Sequence, residues 1–472
     1  MKKKIIVDVS VHQTRIALLD AGRLIEILIE QKNRQTIVNN IYRGRVQSIL
    51  PGMEAAFVDI GQNKNAFLRL NNKMYAGIKL KQGMEITVQV LKDATGTKGA
   101  VLNDELNIAG KFIVLIPEGG NYIAVSNKIE DEQERSRLKN IVKELKPENY
   151  GVIVRTNAEG KTLDEIKEEI ESIYLECKKM LETAPYQKAP CLLYKEASVI
   201  DRAIRDFYSE ETDEFVINDE EEYKRLSELS IDGFNKKLRL YNEKAPIFDY
   251  FCIETQIDKA LQKHIWLKSG GFLVIEQTEA CSVIDVNTGK FIGKKNSQDT
   301  IFKTNKEAAV EIAKQLRLRN LSGIIIVDFI DMLANERRQE LLNILTEETK
   351  KDSVKTFVVG MTELGLVQLT RQKKREPISK LLLGNCPCCS GTGKVYSLSR
   401  TVNLIQREVE NILRQTIFNS IDLYANENVI YAFCGENNEY LTSLEKKYNI
   451  KINCIKQNNL NNTEYRIEKK KV

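Results

Sequence analysis

Apolar and polar positions alternate along residues 4–30, where IIVDVS is followed by TRIALLDAGRLIEILIE; Asp20-Ala21-Gly22 between two apolar runs predicts a hairpin. Residues 40–104 continue as short β-rich segments punctuated by glycine (IYRGRVQSIL, AAFVDIG, AFLRL, EITVQVLK), the spacing of a small Greek-key barrel. Further strands are expected in 111–127 and 150–156, separated by a charged helix at 130–145. Residues 160–185 have helical periodicity with an acidic first half, read as a solvated face. From 253 the pattern becomes an alternation of helix and strand. Residues 254–266 read as helix, Gly270-Gly271 as a turn, and FLVIEQ and CSVIDV as strands. Helices at 305–319 and 335–350 then alternate with strands at 323–329 and 355–361, an α/β layer pattern. Residues 384–394 (GNCPCCSGTGK) form a Gly/Cys knuckle. The remainder, 397–472, reads as a smaller mixed unit whose polar tail is disordered beyond about 457.

Composition narrows what this scaffold can do. At 472 residues, three to five folding units are expected. A net charge of +5 excludes a purely electrostatic nucleic-acid coat but not local basic surfaces. His12 and His264 are the chain's two histidines, which argues against multi-histidine metal sites and two-histidine ribonuclease chemistry; catalysis would rest on carboxylates, lysines or metal. The nine cysteines have no regular spacing, so the chain reads as cytoplasmic rather than as a secreted disulfide framework. The start, MKKKIIV, lacks the apolar length of a signal peptide, and no apolar run approaches a membrane span, so no stable membrane insertion is expected.

Four constellations carry chemistry. In the barrel segment, Gly44-Arg45-Val46, Phe57-Val58-Asp59-Ile60-Gly61 and Phe67-Leu68 match the S1 subtype of the OB fold. Phe57 and Phe67 are candidates for stacking unpaired bases, with Lys98 as a phosphate contact; the plainer reading makes each phenylalanine core. Asp285 and Asp328 each end an apolar run, and in open α/β sheets ligands sit beyond the carboxyl ends of strands. Two carboxylates there suit magnesium, which needs few protein ligands. Asn287 points to the same face as Asp285 and can orient it, and Asp331 is a weaker third candidate. The alternative is that these aspartates cap the following helices. Cys386 and Cys389 form a CxxC with a glycine-rich exit, beside an additional Cys388. With no second such pair nearby, the economical arrangement is one zinc shared by two protomers. A redox motif would instead begin a helix. Finally, the strand GVIVRT ends in Arg155 and Thr156, a guanidinium beside a hydroxyl that suits a terminal phosphate. The basic runs 314–319 and 371–375 read equally as an RNA path or as helix-surface charge.

Together, EAAFVDIG, GVIVRT, SGG followed by EA and IDVN, AKQLRLR followed by GIIIVDFIDM, and CP-x-CSGTG resemble the ribonuclease E/G family over nearly the whole chain. The resemblance implies a multidomain α/β and α+β protein. A ribonuclease H-like domain (1–35 with 200–260) would be interrupted by an S1 barrel (36–104) and a 5′-sensor (105–199). A DNase I-like catalytic domain (261–382), a zinc link (383–396) and a small domain (397–472) would follow. Carried over, Asp285 and Asp328 match magnesium ligands, Asn287 the residue orienting the first, and Cys386 and Cys389 the zinc pair. Arg155, Thr156 and the Val114 backbone match a 5′-monophosphate pocket, while Phe57, Phe67 and Lys98 match barrel contacts to RNA. The expectation is a magnesium-dependent endoribonuclease acting on single-stranded RNA in rRNA and tRNA maturation and mRNA decay. It would favour 5′-monophosphorylated substrates, leave 5′-phosphate and 3′-hydroxyl ends, and form a homodimer through the zinc link, or a tetramer. The rival expectation is a non-catalytic S1-type RNA-binding or ribosome-associated protein.

Overall fold

The computed structural model describes residues 3–33, 36–70, 80–94, 96, 98–229, 231, 233–289, 297–414 and 420–470; residues 71–79, within the expected barrel, lie outside these. The chain divides into two compact units, 1–381 and 382–472. Among the described residues no helix is long and apolar enough to cross a membrane.

The expected hairpin forms with Ala21 and Gly22 both at positive φ, as a tight two-residue turn between twisted strands requires. Its strands, Gln13–Asp20 and Arg23–Gln31, extend a sheet whose other members are Lys3–Val9, Thr212–Ile217 and Leu238–Leu240. Lys3–Val9 pairs parallel with Thr212–Ile217, so the N-terminal strands share one sheet with segments 200 residues downstream.

Between these halves lie two further sheets. Ile41–Leu50, Ala55–Asp59, Ala66–Arg69, Val101–Asn103 and Glu85–Lys92 pair in that order, and the last pairs back onto the first, closing a barrel. The barrel is tightly wound at Gly44, where a Cβ would lie 2.6 Å from Val58 Cγ1. Ile108–Ala109, Ile113–Ile116, Gly151–Val154 and Ile123–Val125 form the second sheet, backed by helices Glu132–Leu145 and Leu163–Thr183. Thr162 and Glu165 form a capping box at the start of the latter helix.

The open six-stranded sheet has the order His264–Trp266, Phe272–Gln277, Cys281–Asn287, Gly323–Asp328, Leu366–Arg371, Thr356–Met361. Helices Ser297–Leu318 and Asn335–Lys350 cover one face, where Ile312, Leu316, Leu341 and Leu345 pack on Leu273, Ile284, Val286, Ile325, Val327 and Leu369. Two expectations change here. The helix expected over 254–266 ends at Leu261, and His264–Trp266 is an edge strand pairing with Phe272–Val274. The basic run at 371–375 begins inside a strand, where Arg371 is buried, while Lys373 and Lys374 are exposed. Glu26, almost fully buried, accepts from Arg317 at 3.0 Å and from Arg375, so each basic run gives a guanidinium to one carboxylate.

In the second unit, Lys451–Lys456, Ser420–Ala425 and Tyr465–Lys470 form a three-stranded sheet against helices Leu398–Arg414 and Glu427–Cys434. The tail expected to be disordered beyond 457 thus supplies an antiparallel strand over 465–470. Tyr465 and Ile467 pack against that unit's core, which gives a polar segment enough apolar burial to order it.

Arg371 is buried with Asp352 at 2.7 Å and also donates to Asn320 Oδ1 and the Leu321 carbonyl. Arg371→Met strands a buried carboxylate and is expected to destabilise the first unit by about 3–5 kcal/mol. Urea unfolding of wild type and variant measures the difference, and unchanged midpoints would contradict the role of this pair.

Candidate active site and metal centres

The strands Cys281–Asn287 and Gly323–Asp328 are the parallel pair at the centre of the open six-stranded sheet, and Asp285 and Asp328 are direct register partners. Strand alternation buries Ser282, Ile284 and Val286 under the helices and turns Val283, Asp285 and Asn287 outward. The same alternation buries Ile325 and Val327 and exposes Asp328. Adjacent strands lie about 4.8 Å apart, so the two carboxylates stand side by side on the uncovered face. Neither is spent on a helix cap. Asn287 Nδ2 donates to Asp285 Oδ2 at 2.8 Å, which fixes that carboxylate's orientation.

Local burial raises the Asp328 carboxyl above its ordinary value, and the neighbouring charges of Asp285 and then Asp331 push it further. Among the described residues neither Asp285 nor Asp328 has a cationic partner, and no group of three or more His, Cys, Asp or Glu is arranged to hold a metal. Two uncompensated, outward hard-oxygen donors fit magnesium, which retains several waters and binds through one or two carboxylates with substrate phosphate.

Other expected site residues fall at separate places. Phe57 and Phe67 are cross-strand partners on the barrel, ring centroids 6.0 Å apart at 70°. Both are half-buried and outside the barrel's core cluster, so the plainer reading of them as core does not hold. Lys98 is exposed, two residues before Ala100, whose carbonyl accepts from the Phe67 N–H at 2.7 Å.

Arg155 follows the strand Gly151–Val154, and its N–H donates to the Phe112 carbonyl at 2.7 Å. Its guanidinium donates to the Gly110 carbonyl at 2.5 Å and to Asp206 Oδ1 at 2.6 Å. The Thr156 hydroxyl lies 3.0 Å from that of Ser126. Val114 is mid-strand with Ile153 and Ala109 paired on its two sides, which limits what its backbone can offer a phosphate. Two carboxylates here escape sequence reasoning. Asp206, 51 residues from Arg155, is pushed up by burial, yet Arg205 and Arg155 outweigh this and hold it below its ordinary value. Glu169 belongs to the helix read as a solvated acidic face, but it accepts backbone N–H groups from Lys111, Phe112 and Ile113 at 2.6–2.9 Å. Neither role has a local sequence pattern.

In the second unit the Cys386 thiol is held below its ordinary value, first by the backbone N–H of Cys389 and then by that of Cys388. Cys389 Sγ accepts from the Gly393 N–H at 3.2 Å. For Cys386 this favours the thiolate, the ligand form zinc takes. Cys388 Sγ instead accepts from Asn461 Nδ2 at 3.4 Å.

Comparison with known proteins agrees with this geometry. The profile of the Ribonuclease E/G family matches residues 107–374, and that of the "RNase E/G, Thioredoxin-like domain" matches residues 385–470. The chain is 40% identical to Ribonuclease G of Escherichia coli strain K12 over 465 residues, covering 94% of this chain and 95% of that protein. Ribonuclease G of Haemophilus influenzae is 37% identical over 462 residues, covering 94% and 92%. Ribonuclease E of Nostoc is 34% identical over 414 residues, covering 84% of this chain and 60% of its own length. The shared sequence thus spans both the sheet that pairs Asp285 with Asp328 and the cysteine knuckle, and the chain belongs to the ribonuclease E/G family.

Proposed function

We propose that this ribonuclease E/G enzyme is a magnesium-dependent endoribonuclease that cuts single-stranded RNA at Asp285 and Asp328, in rRNA and tRNA maturation and mRNA decay in the cytoplasm. The observation that carries the reading is the parallel register that sets these two carboxylates together with Asn287 bonded to the first. Magnesium held there would supply charge to offset the developing phosphoryl oxygens and activate an attacking water. Asp285 and Asp328 hold the ion's position on an open face, and Asn287 keeps Asp285 in one orientation. His264 stands two strands from Asp285 and His12 lies between Lys3–Val9 and Gln13–Asp20, in another sheet, so the two histidines do not form a paired acid and base there. Hydrolysis by water leaves the 2′-hydroxyl unused, so the products carry 5′-phosphate and 3′-hydroxyl ends.

Around this centre, Phe57 and Phe67 stack bases on the barrel while Lys98 meets the backbone. Arg155 and Thr156, beside Val114, receive a 5′-monophosphate. Asp206 holds the guanidinium in place until the phosphate shares it. Cys386 and Cys389 supply two thiolates to a zinc completed by a second protomer, giving a dimer or a higher assembly.

Asp285→Asn and Asp328→Asn are each expected to abolish magnesium-dependent cleavage while leaving RNA affinity within a few fold. Near-normal turnover in either would end the assignment. Asp328 also predicts a stability effect with a definite sign. Because the folded protein holds this proton more tightly than the unfolded chain does, ionising Asp328 costs stability as pH rises through the raised pKa. In magnesium-free buffer, Asp328→Asn should therefore melt higher than wild type at neutral pH. The advantage should fade as pH falls towards the ordinary carboxylate value of 3.8.

Joint replacement Cys386→Ser and Cys389→Ser is expected to remove zinc and weaken the dimer, read by metal content per protomer and sedimentation. A full zinc per monomer in the wild type would contradict the shared site. A charge-assisted pair with a terminal phosphate is worth about 1.5–3 kcal/mol, so kcat/KM should favour 5′-monophosphate over 5′-hydroxyl RNA by about 10- to 150-fold. Arg155→Ala should erase that preference without slowing cleavage of the 5′-hydroxyl substrate. Equal wild-type rates on both ends would exclude end sensing by this pocket.

A further inference from the structure

The uncovered face of the open six-stranded sheet carries aromatic rings beside its carboxylates. Cross-strand pairing places His264, Val274, Asp285 and Asp328 in one row, and Trp266, Phe272 and Asn287 in the next. Strand alternation puts all of them on the side away from the helices. Trp266 is 68% exposed on the edge strand. Its ring centroid lies 5.3 Å from that of Phe272 at a 56° tilt, and the exposed His264 ring lies 5.8 Å from Phe272. Phe272 is only half-buried, so it backs the tryptophan without filling the core.

One exposed aromatic on a protein surface needs no explanation. A ring braced by a second ring, two strands from the residue that orients a catalytic carboxylate, is a different arrangement. Two strand spacings put the Trp266 and Asn287 backbones about 10 Å apart. That is the reach of a nucleotide flanking a bond held over Asp285 and Asp328. Every base presents a π-face, so a stacking platform suits an enzyme that must hold unpaired RNA of varied sequence.

We propose that Trp266, braced by Phe272, is the stacking platform for the base of a nucleotide flanking the scissile phosphate. It sets the position of the cut relative to the metal carboxylates. The platform rests on the reading that Asp285 and Asp328 hold the metal. Selection at this position depends on stacking area rather than on hydrogen bonds, so purines outrank pyrimidines and an abasic nucleotide is the poorest.

Trp266 is the chain's one tryptophan, so its intrinsic fluorescence reports on this face without a label. The full-length protein is titrated with a short single-stranded RNA with magnesium left out, following tryptophan emission and RNA anisotropy together. Quenching that tracks the anisotropy isotherm is expected. Emission that stays unchanged while RNA binds overturns the proposal. So does emission that changes with protein concentration alone, which would show a second copy covering the face. With magnesium present, an abasic substitution at the flanking position should lower wild-type kcat/KM by about 5- to 150-fold. Trp266→Ala should cleave intact and abasic substrates alike, and Trp266→Phe should restore most of the difference. An abasic penalty of the same size in Trp266→Ala overturns the platform, since the barrel's Phe57 and Phe67 would then account for it. Should Asp285→Asn retain turnover, the metal reading fails, whereas quenching by RNA would still show a base on Trp266. The two ideas therefore fail separately.

Discussion

Two negative charges held at adjacent register positions are the constraint on which the rest of the structure depends. Asp285 and Asp328 repel one another, and the Asp328 carboxyl lies above its ordinary value, first through local burial and then through the neighbouring Asp285 charge. The sheet keeps them together because everything beneath them is apolar and packed. Ile284, Val286, Ile325 and Val327 anchor the two strands to the covering helices, and neither strand can slip by one residue without turning its aspartate into that core. The site is destabilising by design of its geometry, and a bound cation is what would relieve it.

Three arginines of the basic runs serve this scaffold. Arg317 and Arg375 converge on Glu26, a carboxylate in the N-terminal sheet, and Arg371 is buried against Asp352. The Glu26 pairs tie the N-terminal sheet to the carboxylate-bearing region within the first unit. Arg155 is likewise held in place, by Asp206 and the Gly110 carbonyl. A guanidinium already fixed in place loses less freedom when it meets a phosphate.

The second unit shows a parallel economy. Its knuckle directs backbone amides at Cys386 and Cys389, while Cys388 is turned to Asn461. The strand at 465–470 completes the sheet. Two thiolates are half of a tetrahedral site, which is why the proposed zinc would need a second copy to complete it.

The sequence by itself determined the local elements and the chemistry each could carry. The helix 335–350 was legible to the residue, because apolar periodicity and strand alternation are local properties. The positions of Asp285, Asp328 and Asn287 were legible for the same reason: the two aspartates follow mainly apolar strand segments, and period two puts Asn287 on the face of Asp285. Tertiary structure alone decided what joins residues far apart. No local pattern foretells that Asp206 would clasp Arg155, that Glu169 on its helix would gather the N–H groups of residues 111–113, or that Glu26 would draw in both basic runs. The misread ends have the same cause. His264–Trp266 continues a helical pattern in sequence, yet it becomes a strand because Phe272–Val274 offers an unpaired edge. The polar tail likewise orders because Ser420–Ala425 offers another. A strand edge is a property of the folded sheet, and its unmet hydrogen bonds outweigh the weak propensity of the segment that fills it.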